Sequence, residues 1–254
     1  MNGFSTFLAK EFTEIRKTWR IWVIPGMLLF FAITSPIIAQ ITPGLMASLS
    51  KGRPGVVVQI PPATWRDSYA QYLKSLSQMV LIAVVITGAG AVSGERSSGT
   101  AVLTLTKPVS RASFVLAKIV SQAGLLIGAT IVSTAVCAAL TIGIFGPSPL
   151  SPLLASVAIW ALDALLMIVV MTLFSAAFAA RGASAGAGLA FFFLTLLISI
   201  WPPANRYSFV GLMSASGSAL MQQAPGLVWP VGTAVVAGMV AAWGAVKVFE
   251  RQEL

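Results

Sequence analysis

The chain lacks histidine altogether and contains a single cysteine, Cys137, among its 254 residues. Without histidine there are no His-dependent metal sites, and the side chain that most often serves as a general base is missing. One cysteine excludes a disulfide within the chain and leaves no cysteine-rich metal pattern. Because Cys137 lies inside an apolar run, we interpret it as a small core residue.

Charged residues are scarce throughout the chain. Only 9% of the residues are charged whereas 57% are hydrophobic, and the mean hydropathy is +0.90. This composition indicates an integral membrane protein. The seven acidic residues are scattered along the sequence, which disfavours a membrane enzyme that clusters carboxylates around a metal ion. We therefore expect no catalytic residue in this chain, and no metal or cofactor bound by it.

Long apolar runs predict the architecture, because about 20 helical residues cross a hydrocarbon core about 30 Å thick. The predicted fold class is an all-α integral membrane protein with six transmembrane helices in a single domain over residues 1–254. The expected spans lie at about 21–41, 76–92, 114–145, 153–179, 184–201 and 227–248.

The first twenty residues predict an amphipathic helix that lies in the membrane interface. Large apolar residues recur at three- and four-residue spacing, and charged residues, Glu11 among them, are expected on the other face. Ser5 is placed to cap this helix, and Pro25 marks the expected bend into the first span. A cleavable signal peptide is the alternative, but its charged region would be unusually long.

Lysine and arginine are distributed unequally between the two sides that these spans define. Eleven of them lie on the side of both termini and of the 94–113 loop, and five lie on the other side. Because the side richer in lysine and arginine is normally cytoplasmic, both termini are predicted to be cytoplasmic. The net charge of +9 is then mostly a matter of topology and does not indicate nucleic-acid binding.

The two longer external connections carry further signals. Thr64 followed by Asp67 is typical of a helix N-cap with an acidic first turn. The 202–226 connection is too apolar for a plain loop and is interrupted by proline and glycine. We expect it to form a short helical hairpin that dips into the outer leaflet, with an interfacial loop as the alternative.

The 94–113 loop between the second and third spans is a conspicuously polar interruption. Glu95 and Arg96 are expected at the water boundary, where the second span ends. Gly99 offers a flexible joint, and Thr100 is a potential N-cap for a following helix.

An apolar element follows in the same loop and contains Leu103 and Leu105. Pro108 disfavours helix at Lys107, and Ser110 is placed to cap the helix that enters the third span. The pattern predicts a short helix across the cytoplasmic face, whose apolar side chains insert into a groove of a partner protein.

Three motifs in this region resemble the signature of type-2 ABC transporter permeases. They are Gly94-Glu95-Arg96-Ser97-Ser98-Gly99-Thr100, Lys107-Pro108-Val109-Ser110-Arg111 and Phe114-Val115-Leu116-Ala117-Lys118. The residue-level likeness is confined to about 64–118, whereas the overall plan agrees with the family along the whole chain. The resemblance implies a permease that dimerises, with itself or a similar chain, and binds two ATP-hydrolysing subunits at its cytoplasmic face.

The resemblance also assigns roles to residues. It implies coupling to the ATPase by Glu95, Arg96, Gly99, Thr100, Leu103, Leu105, Lys107, Pro108, Arg111 and Lys118. ATP and Mg²⁺ are expected on the partner subunit, because this chain has no Gly-x-x-x-x-Gly-Lys-Ser/Thr phosphate loop. The resemblance thus implies a non-catalytic exporter subunit in the cytoplasmic membrane of a bacterium or archaeon, with cargo that the sequence does not specify.

Asp163 lies near the middle of the fourth span, where an ionised carboxylate costs about 2.5–3.5 kcal/mol on insertion scales. It is expected to face the bundle interior or a wet cavity. Either Asp163 and Met167 belong to a substrate pathway, or the acid is protonated and bonded to a hydroxyl such as that of Ser133 or Thr134. A secondary transporter or channel that uses Asp163 without an ATPase is the alternative function.

Overall fold

The computed structural model describes residues 3–50, 61–97, 110–223 and 226–251, and the regular structure in these ranges is entirely helical. In chain order the elements are α1 Gly3–Lys17, α2 Arg20–Ser50, α3 Trp65–Ser75, a π-helical segment Leu76–Val80, α4 Leu81–Gly88, α5 Ser93–Ser97, α6 Arg111–Phe145, α7 Ser151–Ala177, α8 Arg181–Ser199, α9 Pro202–Tyr207, α10 Gly211–Leu220 and α11 Val228–Glu250.

Within these described ranges, six helical stretches are long and apolar enough to cross a membrane, which confirms the all-α membrane fold class. They are Ile21–Ser48, Trp65–Arg96, Arg111–Phe145, Ser151–Ala177, Arg181–Ser199 and Val228–Glu250. The second begins near Trp65 and not near residue 76, because α3 runs through the π-helical segment into α4 without a break.

The chain turns from α1 into α2 at Thr18 and Trp19, so the expectation of a bend at Pro25 was wrong. Pro25 lies inside α2, together with Pro36 and Pro43. Each proline removes only one backbone hydrogen bond, and the rest of the ladder keeps this apolar helix continuous. Ser5 likewise lies within the first turn of α1, which begins at Gly3, and does not occupy the N-cap.

The second and fourth stretches form the centre of the bundle. In an apolar 18-residue window of each stretch, 72% of the second and 56% of the fourth are buried inside the protein, against 17% for the fifth and sixth. Hydroxyl groups tie the second stretch to the third: Ser68 of α3 bonds Thr141 of α6 at 2.7 Å, and Tyr72 bonds Ser133 at 2.8 Å. Buried polar groups satisfied in this way hold α3 against α6.

Two helix caps expected from the sequence are present. The backbone N–H of Thr64 donates to Asp67 Oδ2 at 2.7 Å, and α3 begins at the next residue. Ser110 Oγ accepts from the backbone N–H of Ser113 at 3.1 Å and starts α6. Both caps are local in sequence, which is why the pattern of a few residues predicts them.

The 202–226 connection contains α9 and α10, which pack as a pair against α7 and α11. The turn between them requires glycine at position 211, because a Cβ atom there would lie 1.9 Å from the carbonyl oxygen of Asn205. The Ser214 hydroxyl donates to Asn205 Oδ1 at 2.7 Å and closes the turn. This α9–α10 hairpin covers one side of α7 near its middle.

Candidate functional site

One end of the bundle gathers α1, α5 and the first three turns of α6, and we call it the α1 face. Four of the predicted coupling residues lie at this end: Glu95, Arg96, Arg111 and Lys118. The other six lie outside the described residues: Gly99, Thr100, Leu103, Leu105, Lys107 and Pro108. The 94–113 loop is the predicted coupling loop, and we call its two ends its roots. Glu95 and Arg96 lie at the first root, Arg111 and Lys118 lie at the second, and the geometry of the α1 face therefore concerns these two roots.

Helix α1 packs against α6 along one stripe. Phe7, Glu11 and Ile15, spaced by four residues, are all buried. The Phe7 ring lies 5.3 Å from the ring of Phe114 on α6. The assignment of Glu11 to the charged outer face was therefore wrong, because periodicity alone does not say which charged residue of a helix meets a partner charge.

Glu11 is buried because Lys118 lies opposite it. The Lys118 ammonium, with a side chain only 2% exposed, donates to Glu11 Oε1 at 3.1 Å and Oε2 at 3.2 Å. It also donates to Oε1 of Glu95, and it lies 4.9 Å from the centre of the Phe114 ring. An ammonium group has three donors, so these acceptors satisfy it inside the protein.

A second lysine completes the cluster from the rim. Lys10 Nζ lies 3.0 Å from Glu14 Oε2, 3.4 Å from Glu11 Oε1 and 3.6 Å from Glu95 Oε1. We call these residues the ion cluster: Lys10, Glu11, Glu14, Glu95 and Lys118. Three carboxylates and two ammonium groups leave it close to neutral, which limits the cost of burying charge.

Burial and neighbouring charges shift the pKa values of two groups in this cluster, Glu11 and Lys10. Burial raises the pKa of the Glu11 carboxyl above its usual range, although the Lys118 ammonium opposes the shift. Burial alone would lower the pKa of Lys10, but the carboxylates of Glu95, Glu14 and Glu11 outweigh it and raise that pKa.

The carboxylates of Glu11, Glu14 and Glu95 lie close enough together to hold a metal ion. However, the ammonium groups of Lys10 and Lys118 lie among them within ion-pair distance. The cluster therefore already contains the positive charge that a metal ion would supply.

The end of the second span is anchored to α7 and α8. Ser175 Oγ donates to the carbonyl of Ala89 at 2.8 Å and accepts from the N–H groups of Val92 and Ser93 at 2.9 and 3.1 Å. One hydroxyl thus ties three backbone groups just before the coupling loop to the last turn of α7.

Two arginines add to this anchor. Arg181, the first residue of α8, donates to the carbonyl of Gly94 at 3.4 Å, and Arg96 donates to the carbonyl of Ala176 at 3.5 Å. A Cβ atom at position 94 would lie 2.9 Å from Arg181 Nη2, so glycine allows the guanidinium to approach.

The other root of the loop contacts α11. Arg111 Nη1 donates to the carbonyls of Phe249 at 3.1 Å and Glu250 at 2.7 Å. The Phe114 ring stacks on the Phe249 ring with centroids 4.9 Å apart. Arg111 therefore satisfies carbonyl groups at the end of α11, where the helix itself supplies no donor.

Asp163 and Met167 lie elsewhere, near the middle of α7. Both line a small cavity between α7, α8 and the α9–α10 hairpin. One of the two alternatives for Asp163 bonded it to a hydroxyl such as that of Ser133 or Thr134; these two bond Tyr72 instead, at 2.8 and 3.4 Å, so that pairing was wrong. Among the described residues, none forms a hydrogen bond or ion pair with the Asp163 carboxylate.

The sequence matches a family model described as ABC-2 family transporter protein over residues 6–215. The matched segment includes most of α1, the ion cluster and the Asp163 cavity. No curated protein matches the chain. Since the match covers most of a chain with six membrane-spanning helices, this multi-pass membrane protein belongs to the ABC-2 transporter family, as a permease subunit of an ABC transporter.

Proposed function

We propose that this permease exports its cargo by using ATP hydrolysis on separate ATPase subunits that bind at the α1 face. Family membership implies an ATPase partner. In the proposed transporter, two ATPase subunits serve a pair of permease chains, which are either identical or similar. ATP and Mg²⁺ belong to the ATPase subunits, and this chain supplies the path across the lipid bilayer.

The proposed orientation places the α1 face in the cytoplasm of a bacterium or archaeon. Eleven of the sixteen lysine and arginine residues support it, because they lie on the side of both termini and of the coupling loop. The same side carries the ion cluster, Arg111 and Arg181. ATP is available only on that side of such a membrane, so the coupling residues would lie where the ATPase works.

The observation that carries the proposal is the burial of Lys118 between Glu11 and Glu95. The three residues come from α1, from the root of the coupling loop and from α6. Breaking a buried ion pair by removing one partner costs about 3–5 kcal/mol, so these three elements resist separation. A displacement of the coupling loop by the ATPase would therefore move α1 and α6 together.

The displacement would also reach the rest of the bundle. Ser175 ties the first root of the loop to α7, and Arg111 ties the second root to α11. Movement of the loop would thus be transmitted to both α7 and α11. In this account the coupling residues outside the described ranges make the contact, and the ion cluster passes the movement on.

The test is co-expression with a candidate ATPase, followed by co-purification and measurement of ATP hydrolysis. The variant Leu103→Ala/Leu105→Ala removes the apolar side chains proposed to insert into the ATPase, and we expect it to lose co-purification. A matched control is Leu154→Ala/Leu162→Ala, two exposed leucines of α7. Unchanged ATPase association in the first variant would contradict the proposal, and so would transport by the permease without any ATPase.

A further inference from the structure

The cavity beside Asp163 borders an acid that pairs with no other residue in the described part of the chain. Asp163 is half-buried at the middle of α7, and the cavity also borders α8 and the α9–α10 hairpin. Its free space is about 10 Å³, close to the least that one water molecule needs. Whatever occupies the cavity in this conformation is therefore about the size of a water molecule.

The hydroxyl groups that line this cavity have no proton left to give. Thr195 Oγ1 donates to the carbonyl of Phe192 at 2.7 Å, and Ser199 Oγ donates to the carbonyl of Leu196 at 2.6 Å. A hydroxyl carries one proton, so only the lone pairs of these two oxygens remain available. The carboxylate of Asp163, when ionised, is likewise an acceptor only.

The remaining lining consists of aliphatic, aromatic and thioether side chains, and among the described residues none of it carries a positive charge. The thioethers of Met167 and Met213 are weak acceptors, and the ring of Phe192 has an electron-rich face. The arginine of the hairpin, Arg206, lies 5.4 Å from the ring of Tyr207 and forms no ion pair with Asp163. The described lining therefore presents electron pairs without a positive group to balance them.

We propose that this cavity binds one small monovalent cation, such as Na⁺, K⁺ or ammonium, paired with Asp163. The oxygens of Thr195 and Ser199 supply further ligands, since such cations prefer oxygen donors. The size of the cavity suits a dehydrated inorganic ion and excludes larger organic cations. The bound ion compensates the carboxylate, whose isolated charge is costly in the bilayer.

The cation would connect two helices, because Asp163 lies on α7 and Thr195 and Ser199 lie on α8. Met213 of the hairpin helix α10 lines the same cavity, so the hairpin would cover the bound ion. This inference does not depend on ATPase coupling, which is proposed for the α1 face.

The test uses the purified full-length permease without any ATPase. Its thermal unfolding is followed in chloride salts of Na⁺, K⁺, ammonium and the bulky cation N-methylglucamine at equal ionic strength. We expect the unfolding temperature to rise by about 5 °C or more at saturation with a small cation, relative to N-methylglucamine. Equilibrium binding of radiolabelled Na⁺ or Rb⁺ is expected to approach one ion per chain.

Three variants complete the test. Asp163→Asn is expected to abolish both the binding and the cation-dependent shift. Asp67→Asn, which changes an acid in the α3 cap outside the cavity, is expected to retain the full shift. Thr195→Val removes one oxygen and leaves the acid, so the half-saturating cation concentration should rise severalfold, and this variant decides the matter if Asp163→Asn does not fold.

The proposal is overturned if small cations and N-methylglucamine give the same unfolding temperature. It is equally overturned if Asp163→Asn or Thr195→Val binds and responds like the wild type. The first result would mean that no small cation compensates Asp163, and the second would mean that any bound cation lies outside this cavity. Because no ATPase is present, neither result would bear on the proposed coupling role of the α1 face.

Discussion

Lys118 and Asp163 both place an ionisable group in an apolar bundle, yet their surroundings are opposite. The Lys118 ammonium is held by the carboxylates of Glu11 and Glu95 and lies over the Phe114 ring. The Asp163 carboxylate borders a water-sized cavity, and no described residue pairs with it. A charge that the protein pairs completely belongs to its own framework, whereas a charge left without a protein partner indicates a ligand.

The largest expected effect is that of Lys118→Met. This change keeps the volume of the side chain and leaves the buried Glu11 and Glu95 with only the partly exposed Lys10 as a cation. We expect a loss of about 3–5 kcal/mol in the free energy of unfolding, seen as a fall of about 10 °C in the unfolding temperature.

Lys17→Met is the matched control, because Lys17 is an exposed lysine on α1. It should change the unfolding temperature little. The triple variant Lys118→Met/Glu11→Gln/Glu95→Gln should regain most of the lost stability, since no buried charge remains unpaired. If Lys118→Met alone is as stable as the wild type, the ion cluster is not the framework described above for the α1 face.

The next effect should have the opposite sign. In a buffer that contains only bulky cations, Asp163→Asn removes an uncompensated carboxylate, so stability should increase by about 1–3 kcal/mol. Thermal unfolding in N-methylglucamine chloride measures this. Asp67→Asn should instead lose about 1 kcal/mol, because it weakens the α3 cap. If Asp163→Asn is instead less stable than the wild type under these conditions, the contrast between the paired Lys118 and the unpaired Asp163 does not hold.

A smaller effect is expected at the second root of the coupling loop. Arg111→Gln removes the donors to the carbonyls of Phe249 and Glu250 and should cost about 1 kcal/mol. Amide hydrogen exchange should accelerate in the last turn of α11 and not in α1. Arg206→Gln, an exposed arginine that contacts Tyr207, is the control and should leave both regions unchanged.

The smallest effect concerns the pH dependence of stability. Burial raises the pKa of Glu11 in the folded protein above the usual range of a glutamate carboxyl. Its contribution to stability is therefore fully present below the unfolded pKa and is lost as the pH rises through the folded pKa. The free energy of unfolding of the wild type, relative to that of Glu11→Gln, should therefore fall as the pH rises from about 4 to 7. Unfolding of both proteins across this pH range measures the difference.

Glu14→Gln, at the more exposed end of the ion cluster, provides the comparison for this titration. The free energy of unfolding of Glu14→Gln should keep the pH dependence of the wild type, which Glu11→Gln should lose. Equal pH profiles for the wild type and Glu11→Gln would show that burial does not shift this carboxyl.

Local patterns predicted much of the fold. The six spans follow from apolar runs, and the caps at Thr64 and Ser110 follow from residues at most three positions away. The errors at Ser5 and Pro25 concern where a helix begins or bends, which depends on packing as much as on the residue itself. Tertiary contacts were decisive at these positions.

The site was harder to predict because its partners are distant in the sequence. Glu11 and Lys118 are 107 positions apart, and an amphipathic pattern does not reveal that an acid on α1 faces inward toward a lysine. The available signal in the sequence was the position of Glu11, which lies four residues from both Phe7 and Ile15 and so on the same face of α1. Asp163 was recognised from the sequence as unusual. Only the three-dimensional arrangement shows that Ser133 and Thr134 bond Tyr72 and not Asp163.

The most direct test of the central claim measures ATP hydrolysis by the partner ATPase, alone and with the permease, in lipid vesicles. The triple variant Lys118→Met/Glu11→Gln/Glu95→Gln is compared with the wild type after both are shown to fold and to co-purify with the ATPase. If the ion cluster passes movement between the coupling loop and the bundle, the variant should bind the ATPase normally but no longer alter its hydrolysis rate. A variant that alters the rate as strongly as the wild type would contradict the account.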